Sequence, residues 1–385
     1  MNIYYWCPFL SKVATVQAVL NSAISIKKYS NNSISPHIIN AVGEWNQLKE
    51  EIAKNDINLI NFTESDSLYN ALPRYSYLKS RFSYLVIFFS AFMELYFFLK
   101  NRKKQDIFII HLISSLPLIL ILIFNFKCKF VLRISGKPQL NFFRKLLWKL
   151  CKNKISIVMC PTTDTKKSLI SKNIFNLSSY HTLYDPVLEI KKFIMKKRER
   201  IFHKLENKKF ILNIGRLTRQ KNQAFLIEGF NKISKLYPEL YLVILGEGEL
   251  ESHLKKISKN LKINHKIFFL GYDANVYKYL CKAEFFILTS KWEDPGFVLL
   301  EAAISRVPII SANCPNGPNE ILSNNKAGYL YDSGDLESFV KNFKKAKNDK
   351  YKTINMKRLK ALKNSKDYTI YRHYLSLNKI LKTTI

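Results

Sequence analysis

One stretch of the chain decides its fold class, and residues 285–302 read FFILTSKWEDPGFVLLEA. The first four residues, Phe285–Leu288, are aromatic or aliphatic and uncharged, which predicts a buried strand. Asp294 is a favourable N-cap and Pro295 suits the first helical position, so we expect a helix to begin there. A buried strand that leads through a short loop into a helix is the repeating unit of parallel α/β sheets.

The same alternation continues on both sides of this stretch. Short apolar runs alternate with longer segments of helical spacing through both halves of the chain, a pattern typical of parallel sheets with crossover helices. The predicted strands are residues 3–6, 37–42, 57–62, 107–111, 130–134 and 155–160 in the first half and 210–214, 241–245, 267–270, 285–288, 308–311 and 328–331 in the second.

The length of the chain predicts two domains, because 385 residues exceed what one hydrophobic core usually serves. The boundary is expected just after Asp185-Pro186, where a charge-dense segment, residues 191–209, follows. We therefore expect one domain at residues 1–187, a second at 188–365, and a closing helix at 366–385 that returns to the first domain.

The charge balance is strongly basic, with 62 Lys and Arg against 29 Asp and Glu and a formal net charge of +33. Such an excess indicates an anionic partner, whether nucleic acid, an acidic substrate or a lipid surface. A general compositional bias toward Lys, Asn and Ile is the alternative. The six cysteines are scattered without a C-x-x-C pair or a neighbouring His pattern, which argues against a metal site and a disulfide framework.

Residues 107–126 carry no charged side chain, so this stretch is long enough to be a membrane span. The alternative is a buried strand, a turn and a buried helix. We favour the second interpretation, because His111 and the Ser114-Ser115-x-Pro117 break fall inside the required span. No secretory signal begins the chain, and the expected compartment is the cytosol.

Two turns in the second half have the composition of anion sites. Gly215 ends the strand at residues 210–214, and two cations, Arg216 and Lys221, follow it five residues apart. At a junction between strand and helix, such cations can converge on a diphosphate. A second glycine turn, with Gly246, follows the strand at residues 241–245. Taken alone, each turn is of a kind that is also common after strands without any binding role.

The helix predicted after Pro295 adds an anion site and two carboxylates. Its first N–H groups, on Gly296, Phe297 and Val298, would point at a bound phosphate. Glu293 lies in the loop before the helix, and Glu301 lies inside it among apolar neighbours. The sequence therefore predicts a phosphate held between two acidic side chains, with a sugar near one and a ribose near the other.

These motifs resemble glycosyltransferase family 4, the retaining enzymes that use nucleotide sugars. The resemblance covers residues 210 to about 331 and implies the glycosyltransferase B fold, an α/β fold with two Rossmann-like domains facing each other across a cleft. The motifs that carry it are Gly215-Arg216-Leu217 with Lys221-Asn222, Gly246-Glu247-Gly248, the E-x7-E pair Glu293 and Glu301, and Cys314-Pro-Asn-Gly317-Pro-Asn-Glu320.

The resemblance also implies roles for individual residues. Arg216 and Lys221 match the positions that bind the donor diphosphate, Glu301 the one that holds the ribose hydroxyls, and Glu293 the one that contacts the donor sugar. His111 matches a histidine that faces the transferred sugar, although a core histidine is the alternative. No metal ion and no cofactor are implied beyond the UDP- or GDP-linked co-substrate.

The first half resembles the family more loosely. Its first loop reads Pro8-Phe-Leu-Ser11-Lys12-Val-Ala-Thr15, without the glycines that the family usually carries there. Ser11, Lys12 and the start of the next helix are expected to meet an anion instead. The segment from Arg133 to Lys137 ends a strand at the same sheet edge and is assigned to the acceptor.

The predicted reaction moves a sugar to a glycan or lipid-linked glycan, as in lipopolysaccharide, capsule or other bacterial surface polysaccharide synthesis. Attack by the acceptor on the same face and covalent catalysis by Glu293 both stay open. Residues 75–104 interleave basic and aromatic side chains, so they either lie on an anionic leaflet or form a core with a solvated face. We expect a cytoplasmic enzyme, peripheral on the cytoplasmic face of the inner membrane.

Three other functions compete with this one. A sugar-nucleotide-modifying enzyme of the same architecture would need no acceptor, and a non-catalytic nucleotide-sugar-binding protein would tolerate loss of Glu293. A basic nucleic-acid-binding protein would concentrate its charge on one face or carry a reading module. Because the charge is spread through both halves and no such module occurs, nucleic acid is not expected as a partner.

Overall fold

The computed structural model describes residues 1–384 except 11–13, 64–66, 73–76, 137 and 139. The chain forms two compact units. One comprises Met1–Val187 with Ile370–Ile385, and the other comprises Leu188–Thr369. Ser11, Lys12 and Lys137, to which the sequence assigns binding roles, lie outside the described residues.

A parallel sheet of seven strands forms the centre of the first unit, in the order β3-β2-β1-β4-β5-β6-β7. The six strands predicted for this half are confirmed to within two residues at each end. The seventh was missed, because Tyr180, His181 and Thr182 give no apolar run. The strands are β1 (Asn2–Trp6), β2 (Ser35–Asn40), β3 (Asn58–Asn61), β4 (Ile107–Ile110), β5 (Lys129–Arg133), β6 (Ile155–Cys160) and β7 (Tyr180–Thr182).

Helices cover both faces of this sheet, since alternate strand residues feed two separate cores. In β1, Tyr4 and Trp6 enter one core, and Ile3 and Tyr5 enter the other. Between residues 14 and 170, the α-helices of this unit are α1 (Ala14–Tyr29), α2 (Lys49–Lys54), α3 (Ser67–Ala71), α4 (Tyr77–Lys100), α5 (Ser115–Ile123), α6 (Phe142–Leu150) and α7 (Thr163–Ile170).

The uncharged stretch at residues 107–126 is confirmed as a strand, a turn and a helix, namely β4 and α5. Both are packed into the unit, with Ile107, Ile110, Leu116 and Leu120 fully buried. The alternative of a membrane span at these residues is therefore wrong. The longest helix of the unit is instead α4, which takes up most of the basic and aromatic segment at residues 75–104.

The second unit has a parallel sheet of six strands in the order β10-β9-β8-β11-β12-β13, and all six predicted strands are confirmed. Its strands are β8 (Lys209–Ile214), β9 (Leu240–Leu245), β10 (Ile267–Phe269), β11 (Phe285–Leu288), β12 (Ile309–Ala312) and β13 (Tyr329–Tyr331). Its helices are α8 (Ile190–Lys196), α9 (Gln223–Leu236), α10 (Glu251–Asn260), α11 (Tyr277–Leu280), α12 (Phe297–Ile304), α13 (Pro318–Ile321), α14 (Leu336–Asn348) and α15 (Tyr351–Ser365).

Each sheet reverses its strand order once, and this reversal locates the candidate sites. The reversal falls between β1 and β4 in the first unit and between β8 and β11 in the second. In open α/β sheets, ligands bind beyond the carboxyl ends of the strands at such a switch point. The loop after β8 and the loop after β11 are therefore neighbours, as are the loops after β1 and β4.

The chain ends in α16 (Ile370–Thr384), which belongs to the first unit and packs along α1. Its buried residues Leu377, Ile380 and Leu381 join the core that also contains Val16. The first unit is thus completed by the last segment of the chain.

Candidate active site

Three hydrogen bonds tie the loop after β8 to the loop after β11. Thr289 Oγ1 donates to the Lys221 carbonyl at 2.9 Å, Lys291 N donates to the Gln220 carbonyl at 2.9 Å, and Gln220 Nε2 donates to the Trp292 carbonyl at 3.0 Å. Two loops that are separate in the sequence therefore form one surface at the switch point of the second sheet.

Lys221 and Glu293 meet on this surface. Lys221 Nζ donates to Glu293 Oε1 at 2.6 Å, and Ser290 Oγ donates to the same oxygen at 2.5 Å. The Glu293 side chain is 5% exposed and that of Lys221 is 16% exposed, so the pair is shielded from water on most sides. A buried carboxylate needs such partners, because an unpaired charge away from water is costly.

The predicted start of the following helix is wrong. The helix does not begin at Asp294 and Pro295 but at Phe297, with Gly296 as its N-cap in the left-handed region at φ +93°. The reason lies in a distant segment: a Cβ on Gly317 would come within 1.9 Å of the Pro295 carbonyl oxygen. This close backbone approach holds Pro295 against residues 315–317, outside the helix.

The helix that results, α12, begins two residues later than expected and carries the predicted anion site at its start. Phe297 and Val298 are its first two residues, and the first N–H groups of a helix have no partner within it. The N-cap residue Gly296 has no side chain to cap this end, where the positive end of the helix dipole lies.

Glu301 lies one turn further along α12 and is partly buried among apolar side chains. Within the part of the chain that the structure describes, its carboxylate has no hydrogen bond and no ion pair. Burial raises the pKa of Glu301 to about 7, and the positive charge of Lys192 opposes this rise. A carboxyl group kept in this state accepts hydrogen bonds from a ligand without first breaking a contact of its own.

Arg216 extends from the loop after β8. Its side chain is exposed, and among the described residues no hydrogen bond or ion pair engages it. Gly215 before it lies under the aliphatic chain of Lys221, since a Cβ at Gly215 would come within 3.2 Å of Lys221 Cδ. The structure thus brings the two predicted cations to the same strand end.

Gly246 has a packing role in this structure. A Cβ at Gly246 would lie 2.1 Å from the Gly215 carbonyl oxygen, and one at Gly248 would lie 2.5 Å from the Leu217 carbonyl oxygen. Hydrogen bonds from Gly215 N to the Leu245 carbonyl and from Leu217 N to the Glu247 carbonyl, both 2.9 Å, join the same loops. Because these glycines have no Cβ, the turn after β9 packs directly against the loop that carries Arg216.

His111 occupies the switch point of the first sheet. It directly follows β4, and its N–H donates to the Trp6 carbonyl at 2.8 Å. The ring is 6% exposed, and its Nδ1 is buried with no hydrogen-bond partner in the described chain. Burial, with the positive charge of Arg133 next in size, holds the pKa of His111 well below its usual range. The ring is therefore neutral near pH 7.

The assignment of Arg133 to the acceptor requires correction. Arg133 is buried, and its guanidinium donates to the Leu183 carbonyl at 2.7 Å and to Asp185 Oδ1 at 2.5 Å. These hydrogen bonds hold residues 183–185, which lie just before the second unit begins at Leu188. Arg133, Ile134 and Ser135 also line a cavity beside His111.

Sequence reasoning did not find Ser290 or Gln220, which fix the geometry of the second-unit site. Neither residue type is distinctive in a loop, and their importance depends on contacts between loops that the sequence does not reveal. No group of three or more His, Cys, Asp and Glu side chains comes together among the described residues in the manner of a metal site.

With this geometry established, comparison with known proteins decides the family. A family model described as glycosyl transferases group 1 matches residues 195–366, the segment that contains the entire β8 and β11 site. Over these residues, the second unit belongs to the group 1 glycosyltransferases. An uncharacterized glycosyltransferase of Methanocaldococcus jannaschii is 29% identical over 329 residues, which are 81% of this chain and 77% of that protein.

Two further comparisons report similarity to a characterised enzyme and to a solved structure. An N-acetylgalactosaminyltransferase of Campylobacter jejuni, whose name specifies an N,N'-diacetylbacillosaminyl-diphospho-undecaprenol substrate, is 35% identical over 136 residues, or 35% of this chain and 36% of that protein. The Anabaena protein HepE, solved in complex with UDP, superposes with a TM-score of 0.74 at 14% identity over all of both chains. The chain therefore has the glycosyltransferase B fold, as the sequence predicted.

Proposed function

We propose that this protein is a retaining, metal-independent glycosyltransferase of the hexosyltransferase type. It transfers a sugar from a UDP- or GDP-linked donor to a glycan or lipid-linked glycan of a bacterial surface polysaccharide. The observation that carries the proposal is the arrangement at the second switch point. An exposed arginine, a lysine held by a buried carboxylate and an open helix start lie at adjoining strand ends.

The donor diphosphate lies between Arg216, Lys221 and the first N–H groups of α12. A lysine ammonium has three donors, and Glu293 takes one, which leaves two for phosphate oxygens. As the bond to the sugar breaks, negative charge grows on the departing diphosphate. Preorganised cations and helix N–H groups stabilise that charge, which is the role that a divalent cation plays elsewhere.

The two carboxylates bind opposite ends of the donor. Glu301, whose carboxylate has no hydrogen bond or ion pair within the described residues, accepts hydrogen bonds from the ribose hydroxyls. The hydrogen bonds that Glu293 accepts from Lys221 and Ser290 both use Oε1, so Oε2 can accept from a hydroxyl of the transferred sugar. His111, in the first unit, is neutral and is suited to act as a hydrogen-bond partner for a sugar hydroxyl rather than as a cation.

The acceptor is placed at the cytoplasmic face of the inner membrane. Support comes from the formal charge of +33 and from the Campylobacter relative, whose name specifies a diphospho-undecaprenol-linked sugar as its substrate. Anionic phospholipids attract such a basic protein. The proposed product of the enzyme is a lipopolysaccharide, a capsule or another polysaccharide of the bacterial surface.

Thermal shift with UDP, GDP and their sugars tests the donor site. We expect one nucleoside diphosphate series to stabilise the wild type and Glu301→Ala to lose that stabilisation. Glu228→Ala, an exposed carboxylate on α9, is the matched control and keeps it. EDTA is expected to leave the shift unchanged. No stabilisation by any nucleoside diphosphate would refute the proposed function.

A further inference from the structure

Three neighbouring helices of the first unit leave large apolar side chains in water. Contacts join α4 to α5 and α5 to α6, and all three pack on the same core. Contiguous exposed apolar patches mark interaction sites. The exposed apolar residues of this surface, hereafter the apolar face, are Phe82, Leu85, Phe89, Met93 and Phe97 of α4, Leu122 and Ile123 of α5, and Phe142, Phe143, Leu146 and Leu150 of α6.

The helix α4 has two apolar stripes on opposite sides. Ile87, Ala91, Leu95 and Leu99 are fully buried in the core at a spacing of four residues. The exposed stripe of the apolar face lies about half a turn away from them, at 3.6 residues per turn. The segment Arg81–Lys100 is long and apolar enough to cross a membrane, and 28% of its most apolar stretch is buried. Because one stripe is held by the core, α4 is suited to lie at a membrane surface.

The surroundings of the apolar face are basic. The helix α6 carries Arg144, Lys145 and Lys149 beside its exposed Phe142 and Phe143 and has no acidic residue. Basic side chains beside exposed aromatic ones match an anionic lipid surface, where apolar groups enter the acyl region and cations meet headgroups. This charge complementarity favours a phospholipid leaflet as the occupant over a second protein.

A cavity of about 610 Å³ opens beside the apolar face. Tyr84 of α4, Ile119 of α5 and Phe143 and Leu147 of α6 form its sides, and Trp148 also lines it. Most of the lining is apolar. Its volume is within the range of pockets that bind small organic ligands.

A second cavity, of about 380 Å³, adjoins the first and is more polar. His111 and Ser135 line it, and both carry a buried polar atom, Nδ1 and Oγ, without a hydrogen-bond partner in the described chain. Arg144 and Trp148 line both cavities. A cation thus stands where an apolar cavity meets a polar one.

We propose that this arrangement binds a phosphate-linked lipid acceptor within the protein. The apolar cavity takes the first part of a hydrocarbon chain that enters from the leaflet against the apolar face. Arg144 meets the phosphate, and the polar head occupies the cavity lined by His111 and Ser135. The inference rests on the proposed function and specifies its acceptor as an amphiphile whose chain the protein itself recognises.

Calorimetric titration with two alkyl diphosphates, ethyl and dodecyl, tests the chain site below the micelle concentration of the longer probe. We expect the wild type to bind the dodecyl compound at least tenfold more tightly. Leu147→Trp fills the cavity and abolishes this difference. Leu146→Trp is the matched control, because Leu146 is the exposed neighbour on the same helix and does not line the cavity.

Arg144→Gln tests the phosphate contact. A hydrogen bond to a charged group is typically worth enough to change affinity about tenfold or more. Arg144→Gln is therefore expected to weaken both alkyl diphosphates by at least tenfold while the dodecyl compound stays the tighter ligand. Ile119→Phe fills the same apolar cavity from α5 and replaces Leu147→Trp if that variant does not fold.

Several results would overturn this proposal. Equal affinities of the wild type for the two chain lengths would do so without any variant. A preference for the dodecyl chain that survives both cavity-filling substitutions would place the chain elsewhere. A wild-type dimer that Phe89→Ser disperses would assign the apolar face to a second copy. Thermal shift with UDP and GDP is measured separately, so nucleotide binding without chain recognition rejects this inference and leaves the donor site standing.

Discussion

At the scale of single residues, the second-unit site depends on charges whose partners come from distant parts of the chain. Lys221 and Glu293 are 72 residues apart in sequence and 2.6 Å apart in space. Removing one partner of a buried pair leaves the other charge without compensation, which typically costs about 3 to 5 kcal/mol. Site residues and stability are therefore coupled at this position.

The raised pKa of Glu301 gives a test at this scale. Burial lifts the pKa from 4.5 to about 7, so the folded state holds the proton more tightly than the unfolded state. The contribution of Glu301 to the free energy of unfolding is therefore fully present below pH 4.5, and it is lost as the pH rises through 7. We expect Glu301→Gln to match the wild type at pH 5 and to be more stable at pH 8, by at most about 3 kcal/mol.

Urea unfolding at the two pH values measures this difference. Glu228→Gln on the exposed face of α9 serves as the control and should show no dependence on pH relative to the wild type. If Glu301→Gln changed the free energy of unfolding equally at pH 5 and pH 8, the interpretation that burial raises the pKa of Glu301 would be contradicted.

At the scale of elements, glycines set how closely two turns approach. Gly246→Ala would place a Cβ 2.1 Å from the Gly215 carbonyl oxygen, a backbone atom that cannot move alone. We expect this substitution to destabilise the protein by more than about 2 kcal/mol and to weaken nucleotide binding, because the loop with Arg216 must shift.

Gly334→Ala is the matched control for this substitution. Gly334 has φ +84°, and a Cβ there would have no atom within 4 Å. Its cost should therefore be limited to backbone strain, about 1 to 2 kcal/mol, with nucleotide binding unchanged. Guanidinium unfolding and titration with UDP or GDP compare the two variants. Equal losses in both would mean that steric contact between the turns is unimportant.

A second prediction at this scale concerns the basic end of α4. Arg102 takes part in the fold, since its Nη1 donates to the Tyr4 hydroxyl at 2.6 Å and its guanidinium lies over the Phe98 ring. Lys103 and Lys104, which follow the helix, are exposed cations. Replacing both with Gln should weaken binding to anionic vesicles by about 1 kcal/mol per lysine.

Co-sedimentation with phosphatidylserine vesicles measures that loss. Lys259→Gln with Lys262→Gln, two exposed lysines of the second unit, removes the same charge as a control. If both double variants lose the same affinity, net charge alone attracts the protein to the membrane. Unchanged binding in the Lys103 and Lys104 variant would argue against α4 at the membrane surface.

At the scale of the whole molecule, the last helix completes a unit that begins at residue 1. His373 of α16 donates from Nδ1 to the Tyr184 carbonyl at 2.7 Å, since a carbonyl can only accept. Its Nε2 therefore accepts from Ser22 Oγ at 2.8 Å, and Ser22 in turn accepts from the Tyr5 hydroxyl at 2.8 Å. A buried polar chain thus joins α16, α1 and β1.

This organisation predicts that damage to α16 acts on one unit alone. Leu377 is 2% exposed between α16 and α1, so Leu377→Asp buries an unpaired charge and should destabilise the first unit by more than about 3 kcal/mol. Hydrogen exchange should accelerate in β1 to β7 and stay as in the wild type in β8 to β13. Leu375→Asp, at a position 37% exposed on the same helix, is the control.

The sequence by itself determined the sheets. Apolar runs between helical segments are a local property, so 12 of the 13 strands were predictable, and only β7, with its polar composition, was missed. The glycine turns and the two carboxylates were also recognisable, because residue type and spacing carry that information. The family followed from the same motifs.

Only the tertiary structure decided how those residues are used. The start of α12 depends on the close approach of Gly317 to Pro295, and Arg133 is committed to Asp185 rather than to an acceptor. Neither contact has a local signal, since each joins segments that the order of strands brings together. The same reason applies to the apolar face: the composition of α4 does not tell which of its two apolar stripes meets the core.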